Sequence, residues 1–238
     1  MTGRLFEAIR IIAIFFTAGM SLSAHAGLFG FGGESWKEEA LQPDGSTIIV
    51  MRSQHYGGNH EIGQTPPISD QEISFVLPSS GKMISFKSKY GQDIGRSNFR
   101  LLSLDIVKNT PYIVAEPYLC LSYNKWGRPN PPYVVFRYDG NEWKRIPLSE
   151  LPGEVKEFNL VIETKGYMDD IKEHSPVTAE TVRKLNGELP GPEYRSILRE
   201  PVKSGITSCE TMVFYKCGWI DPRGSIGRNF MDATCKGK

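Results

Sequence analysis

Charge imbalance is nearly missing from this sequence: 28 Lys and Arg stand against 27 Asp and Glu in 238 residues, with no run of basic side chains. A nucleic-acid-binding surface shows as a basic excess or stripe, so no nucleic-acid partner is expected. No acidic block marks a disordered tail either. Histidine is scarce, four in all, and none stands in a His-Glu-x-x-His pattern; the four cysteines form no Cys-x2-Cys pair. A helix-borne zinc hydrolase and a zinc ribbon are both excluded on spacing, and no metal is expected. No cofactor motif is present: the glycine-rich stretch Gly27 to Gly33 follows no strand and precedes no Lys-Ser/Thr, so it is not a phosphate loop. Apolar runs are limited to Ile11–Leu22, about a dozen residues where an uninterrupted membrane span needs roughly 20.

What that short run does fit is a secretory signal peptide. Arg4 and Arg10 supply a positive start, Ile11 to Leu22 the apolar centre, and Ala24-His25-Ala26 a small-x-small cleavage pattern before Gly27, with Glu7 the one atypical residue. The segment 1–26 is therefore expected to be removed, leaving an exported protein, periplasmic or secreted, with no stable membrane insertion. No cysteine lies near the cut to carry a lipid anchor. Loss of Arg4, Arg10 and Glu7 leaves basic and acidic residues equal in number.

All four cysteines, Cys120, Cys209, Cys217 and Cys235, lie beyond the signal, and an even number in an exported chain predicts disulfides. Pairing Cys120 with one of the others ties the middle of the chain to its end and leaves two to close a local loop. Ser208 as N-cap and Gly218 beyond predict a short helix over Cys209–Cys217, which would hold those two thiols about 12 Å apart, too far to bond. If Met212 to Tyr215 instead form a hairpin, Cys209–Cys217 becomes the natural pair.

From Trp36 onward the pattern is strand-like. Trp36–Leu41 and Thr47–Arg52 flank Pro43-Asp44-Gly45; Glu72–Leu77 and Met83–Ser88 flank Pro78 to Gly81; Phe99–Val107 and Tyr112–Glu116 flank Lys108 to Thr110; Tyr133–Tyr138 and Trp143–Ile146 flank Asp139 to Asn141. Four successive hairpins predict a mainly β protein, an antiparallel meander closing as a barrel or sandwich, with Phe158–Ile162 as a last strand. Val134, Phe136 and Tyr138 share the expected core face, opposite Val135 and Arg137. The hairpin Tyr138 to Arg145 is also similar to the outer hairpin of a propeller blade. Beyond 163 the composition turns polar: short helices are expected at Met168–Lys172, at Ala179–Leu185 capped by Thr178, and at Glu193–Arg199 opened by Pro192. The organisation expected is thus a signal (1–26), a glycine-rich leader (27–35), a β-rich domain (36–163) and a mixed helical, disulfide-stapled C-terminal appendage (164–238).

The most unusual loop runs Asn124-Lys-Trp-Gly-Arg-Pro-Asn-Pro-Pro132 between Tyr123 and Tyr133. Prolines stiffen it. Tyr123, Trp126, Arg128 and Asn130 could then present an aromatic face and directed donors to a glycan, a peptide or a protein of the envelope. The alternative is a rigid crossover with Trp126 as a buried plug. The chain resembles a group of exported proteobacterial proteins with no assigned activity, through Thr110 to Ala115, Cys120 to Tyr138 and Trp143 to Ile146, and more weakly through Asp44 to Arg52 and His60 to Gly63; the resemblance implies no site.

A binding or interaction protein is therefore the first expectation and an envelope hydrolase the second. For the latter, Glu116 and Asp169-Asp170 are the nearest carboxylates, with Glu116 expected alternatively to pair with Arg96 or Arg128. His55, His60 and Glu61 could converge from a glycine-hinged loop, or simply stand in solvent. Ser79 to Lys82, Ser122 to Asn124 and Lys203 to Gly205 follow the order of the penicillin-binding-protein motifs. Ser79, however, falls in a turn, where that chemistry needs a helix start.

Overall fold

The computed structural model describes residues 32–203 and 205–235; the expected signal and most of the leader lie outside the described residues. Strands β1 (Gly33–Leu41), β2 (Thr47–Tyr56), β3 (Ile68–Val76) and β4 (Met83–Ser88) form one antiparallel sheet in sequence order. A two-residue ladder, β5 (Tyr90–Gly91) with β6 (Arg96–Ser97), turns the chain into a second antiparallel sheet: β7 (Phe99–Val107), β8 (Thr110–Pro117), β9 (Val134–Tyr138) and β10 (Trp143–Ile146). The helices are α1 (Leu119–Lys125), α2 (Met168–Glu173), α3 (Ala179–Gly187) and α4 (Ser225–Thr234), and a small hairpin, β11 (Val213–Tyr215) with β12 (Gly218–Ile220), precedes α4. The protein is thus mainly β and antiparallel, with a helical end held by disulfides. Among the described residues no helix is long and apolar enough to cross a membrane.

Local chemistry explains the turns. Asp44 accepts from the Ser46 backbone N–H at 2.9 Å and from its hydroxyl at 2.6 Å, while Gly45 takes φ 85°. Lys108 and Asn109 both sit at positive φ, 49° and 63°, as a two-residue hairpin with matched twist requires. Asp139 accepts the N–H groups of Asn141 and Glu142 at 3.0 and 2.9 Å and pairs with Lys144; those bonds hold its carboxyl well below the usual range. β1 begins inside the expected leader, because the longer β2 gives Gly33 and Glu34 partners in His55 and Gln54.

Both sheets feed one apolar cluster: Ala40, Val50, Ile73, Phe75, Ile84 and Phe86 from the first, and Phe99, Leu101, Leu104, Ile113, Val134 and Phe136 from the second. The predicted face of β9 is therefore inward, with Tyr138 packed beside it. Its opposite face is buried too. Val135 joins Leu102, Tyr112, Val114 and Ile146 in a second cluster closed by Leu151, Val155, Phe158 and Ile197. A third cluster sets Trp36 of β1 against Ile171, Val177, Val182 and Leu185 of the α2–α3 region. There Val177 bonds β1 at both ends, through Glu39 N–H to its carbonyl and its own N–H to Lys37 O, each 2.8 Å.

Two expected elements take another form. Phe158–Ile162 is not a strand: it is an irregular buried segment whose side chains enter all three clusters. A ladder would have put alternate residues on two faces, and three destinations rule that out. Its backbone is satisfied by side chains instead. Asn186 donates to Leu160 O at 2.8 Å and accepts from Ile162 N–H at 3.1 Å, Arg52 donates to Val161 O at 3.2 Å, and Glu38 accepts from Val161 N–H at 3.4 Å. The expected helix Glu193–Arg199 shrinks to a 3-10 turn, Pro192–Tyr194, because Ile197 leaves to pack in the second cluster and its N–H bonds Lys156 O. By contrast α2 and α3 form where predicted, the latter with Thr178 Oγ1 accepting from Thr181 N–H at 3.2 Å.

The disulfides are Cys120–Cys209 and Cys217–Cys235, with Cα separations of 5.4 and 6.0 Å. The expected helix over Cys209–Cys217 is absent; the segment enters a hairpin, as β-propensity allowed, but the Cys209–Cys217 pair does not follow. Lys216 at φ 55° and Cys217 make the turn itself, so Cys217 faces α4 and Cys209 stays behind beside α1.

Candidate functional site

The loop singled out in the sequence begins as α1 and is spent largely on the chain itself. Tyr123 is buried. Trp126 is half-buried, its ring 4.5 Å from Phe99 and 6.2 Å from Phe136, its indole N–H donating to Asn98 Oδ1 at 3.2 Å, with the Arg145 guanidinium 5.6 Å from its ring. Arg128 lies 5.0 Å from the Tyr123 ring and donates to Asn124 Oδ1 at 2.9 Å, Glu210 O at 3.1 Å and Cys209 O at 2.7 Å. Asn130 exchanges two bonds with the Val202 backbone, 3.0 and 2.8 Å. Arg128 and Asn130, with Asn124, thus form a latch that holds residues 202–212 beside the Cys120–Cys209 bond, with Tyr123 packed under Arg128, while Trp126 packs on the second sheet instead. The outer side of the loop borders an open groove of about 450 Å³ whose polar groups, Asn130 and Arg145, are already bonded within the chain.

From this follows a first expected result. Arg128→Ala removes three hydrogen bonds to or beside 209–210 and should cost about 1–3 kcal/mol. Limited proteolysis should then cut within 202–212 while the sheet amides keep their hydrogen-exchange protection; an unchanged digestion pattern would rule out the latch.

A second constellation lies where β8 ends. Arg100 on β7 stands opposite Glu116 on β8 in register, and their side chains approach at 3.8 Å. Glu116 therefore pairs with Arg100, neither with Arg96 nor with Arg128, because the cross-strand position is the closest cation. Tyr194 donates to the same carboxylate, 2.8 and 3.0 Å from its two oxygens. Burial pushes the Glu116 carboxyl up, against the pull of Arg100 and Tyr194. The Arg100 guanidinium lies 5.3 Å from the Tyr118 ring and 5.9 Å from the Tyr194 ring, and 3.9 Å from Glu163. It is a strut behind Tyr118.

Tyr118 forms one wall of a groove of about 170 Å³ shared with Tyr56, Asn59, His60, Gln64, Arg96, Glu163 and Lys165. Gln54 donates to the Tyr56 hydroxyl at 2.7 Å, and Asn98 O takes the Tyr118 N–H at 2.9 Å. The far wall is the 57–67 loop, fixed by Asn59 N–H to Gly95 O at 2.8 Å and Gly57 N–H to Pro67 O at 3.1 Å. Gly58 is required there, since a Cβ would meet the Gly95 carbonyl and the Pro67 ring. His60 rests its Nδ1 2.7 Å from Gly58 O, and His55 pairs with Asp70 at 3.1 Å, so the two imidazoles do not converge with Glu61. No group of three or more metal-ligating side chains occurs among the described residues. Of the other sequence candidates, Asp169 and Asp170 lie in the first turn of α2, and Lys82 donates to the Tyr138 hydroxyl at 3.0 Å.

Among the described residues, no hydrogen bond or ion pair engages the side-chain cations of Arg96 and Lys165. Two tyrosine rings, two amides and two uncommitted cations therefore line one groove. Sequence reasoning missed it because its members come from four separate segments; Arg96 and Tyr118 had no pattern to mark them. The fold and this groove define the class only broadly, as an antiparallel β protein with a polar, aromatic-walled groove. No protein-family model, curated protein or solved structure matches the chain.

Proposed function

We propose that this is an exported, non-catalytic binding protein of the cell envelope, periplasmic or secreted, in which the two sheets act as a sandwich scaffold and the Tyr118 groove recognises an anionic glycan. The observation that carries the reading is the pair of uncommitted cations, Arg96 and Lys165, beside the rings of Tyr56 and Tyr118. Aromatic faces stack on sugar C–H surfaces, amides take hydroxyls, and the cations suit a carboxylate or phosphate substituent. The two disulfides support an oxidising compartment. The Tyr123–Tyr133 loop contributes by holding α1, and with it Tyr118, in place.

The test is retention of the oxidised protein, purified without residues 1–26, on isolated cell-wall sacculi, with mass spectrometry of the supernatant. Wild type should be retained without release of fragments. An Arg96→Ala, Lys165→Ala double variant, folded by circular dichroism, should bind about tenfold or more weakly and lose its salt sensitivity. Equal retention of the variant would remove the groove from the reading; fragments in the supernatant would replace binding with catalysis.

A further inference from the structure

A cleft of about 470 Å³ opens between the β1–β2 turn, the 154–159 segment and α3, and shares no lining residue with the Tyr118 groove. Its floor lies against the strand-unpaired edge of β7, through Asp105. Leu104 and Ile106 have no neighbouring strand there, and side-chain amides take the ladder's place. Asn159 accepts from Leu104 N–H at 2.9 Å and donates to Leu104 O at 2.8 Å and Leu41 O at 3.0 Å; Gln42 accepts from Ile106 N–H at 2.8 Å and donates to Leu104 O at 3.2 Å. Both amides are committed. Asp105, 3 % exposed, receives Asn159 Nδ2 on Oδ1 at 3.2 Å, while its Oδ2 and the Oγ of Ser103, the adjoining hydroxyl on the same strand, are both buried and make no hydrogen bond of normal geometry among the described residues. A buried carboxylate oxygen and a buried hydroxyl left open beside the cleft call for an explanation.

The walls add a second indication. Leu41 and Pro43, over the buried Phe158 and Val182, supply the apolar part of the cleft's mixed lining, and the cleft volume suits a small organic molecule. The charged groups facing it are Glu154, Lys156 and Glu157 from the 154–159 segment and Arg183 from α3, the last 3.8 Å from Glu157. On β8 the residue opposite Asp105 is Tyr112. With Asp105 the carboxylates outnumber the cations.

We infer that this cleft is a binding site for a small organic ammonium ion, its N–H donated to Asp105 Oδ2 and its apolar body held against Leu41 and Pro43. Burial pushes the Asp105 carboxyl up to about 7, so this carboxyl is mostly ionised at pH 8 and protonated at pH 5. The site is independent of the Tyr118 groove.

Benzylamine serves as the probe and benzyl alcohol as its uncharged counterpart, titrated into isotope-labelled protein lacking residues 1–26 and followed by amide NMR. At pH 8 benzylamine should shift the Leu104 and Ile106 amides and the Asn159 side-chain amide, saturably. Benzyl alcohol should bind about tenfold or more weakly, and so should benzylamine at pH 5. Asp105→Asn should abolish the pH dependence. Should that variant fail to fold, the wild-type comparison between pH 5 and pH 8 decides alone. Absence of shifts at pH 8, shifts confined to other surfaces, or equal binding of amine and alcohol would each overturn the assignment.

Discussion

Glu38→Ala should destabilise the protein by about 3–5 kcal/mol, the range for removing one partner of a buried ion pair, read as a lower urea midpoint at unchanged slope. Glu38 is fully buried, and both its carboxylate oxygens are engaged. One oxygen pairs with Arg52 at 2.8 Å, the other accepts from the Trp36 indole at 2.9 Å and from Val161 N–H at 3.4 Å, and the Arg52 guanidinium sits 5.0 Å from the Trp36 ring. Without the carboxylate, Arg52 keeps Val161 O and a long contact to Gln71 but has no counter-charge. Joint replacement of Glu38 and Arg52 by leucine should cost less than the two single changes summed, since no lone charge remains. It should not restore wild-type stability, because Val161 then loses side-chain partners for both its N–H and its C=O. A loss below about 1 kcal/mol for Glu38→Ala would show that water reaches the pair.

Between about pH 3 and pH 8 the protein should lose about 4 kcal/mol of stability through Asp105 alone, a figure set by the displacement of its carboxyl from an ordinary 3.8 to about 7. In that window the folded state holds a proton that the unfolded chain has released, so stability falls as pH rises, and above about 8 the loss is complete. Burial is the cause, against the smaller pull of the Ser103 hydroxyl. Asp105→Asn keeps the shape and cannot ionise. It should match wild type near pH 3 and exceed it at pH 8, with chemical denaturation at several pH values as the measurement. Glu116 contributes a slope of the same sign in both proteins, and the difference between them removes it. Parallel pH profiles would mean that Asp105 is ionised and solvated in the folded state throughout.

The two strongest expectations involve residues that sequence reading passed over, and the reason is physical. Alternation along β1 and β2 marks Glu38, Arg52 and Gln54 as sharing a face with Ala40 and Val50, but charged residues at inward positions read as solvent-facing until a partner is seen. Asp105 lies in the apolar strand Phe99–Val107 and its register is plain. That the β7 edge beside it is roofed by Asn159 and Gln42 is not, since Asn159 reaches Asp105 across 54 residues of chain and Gln42 reaches Ile106 across 64. The loop at Tyr123–Tyr133 was conspicuous for its prolines, Trp126 and Arg128. Its partners at 202–212 carry no comparable signal.

What the sequence determined by itself was everything governed by neighbours a few residues apart. Turn chemistry at Asp44-Gly45, Lys108-Asn109 and Asp139-Gly140 set the hairpins, period-2 alternation set the faces, and Thr178 set the start of α3. The tertiary structure decided the rest: the division of the meander into two sheets with a common core, the conversion of Phe158–Ile162 from strand to buried connector, the pairing of Cys120 with Cys209, and the gathering of the Tyr118 groove and the Asp105 cleft. Local propensities cost or contribute tenths of a kcal/mol per residue, whereas a buried unpaired backbone group costs about 1–3 kcal/mol. Where distant side chains such as Asn159, Asn186, Glu38 and Arg52 could satisfy those buried groups, hydrogen bonding outweighed local propensity and chose the fold.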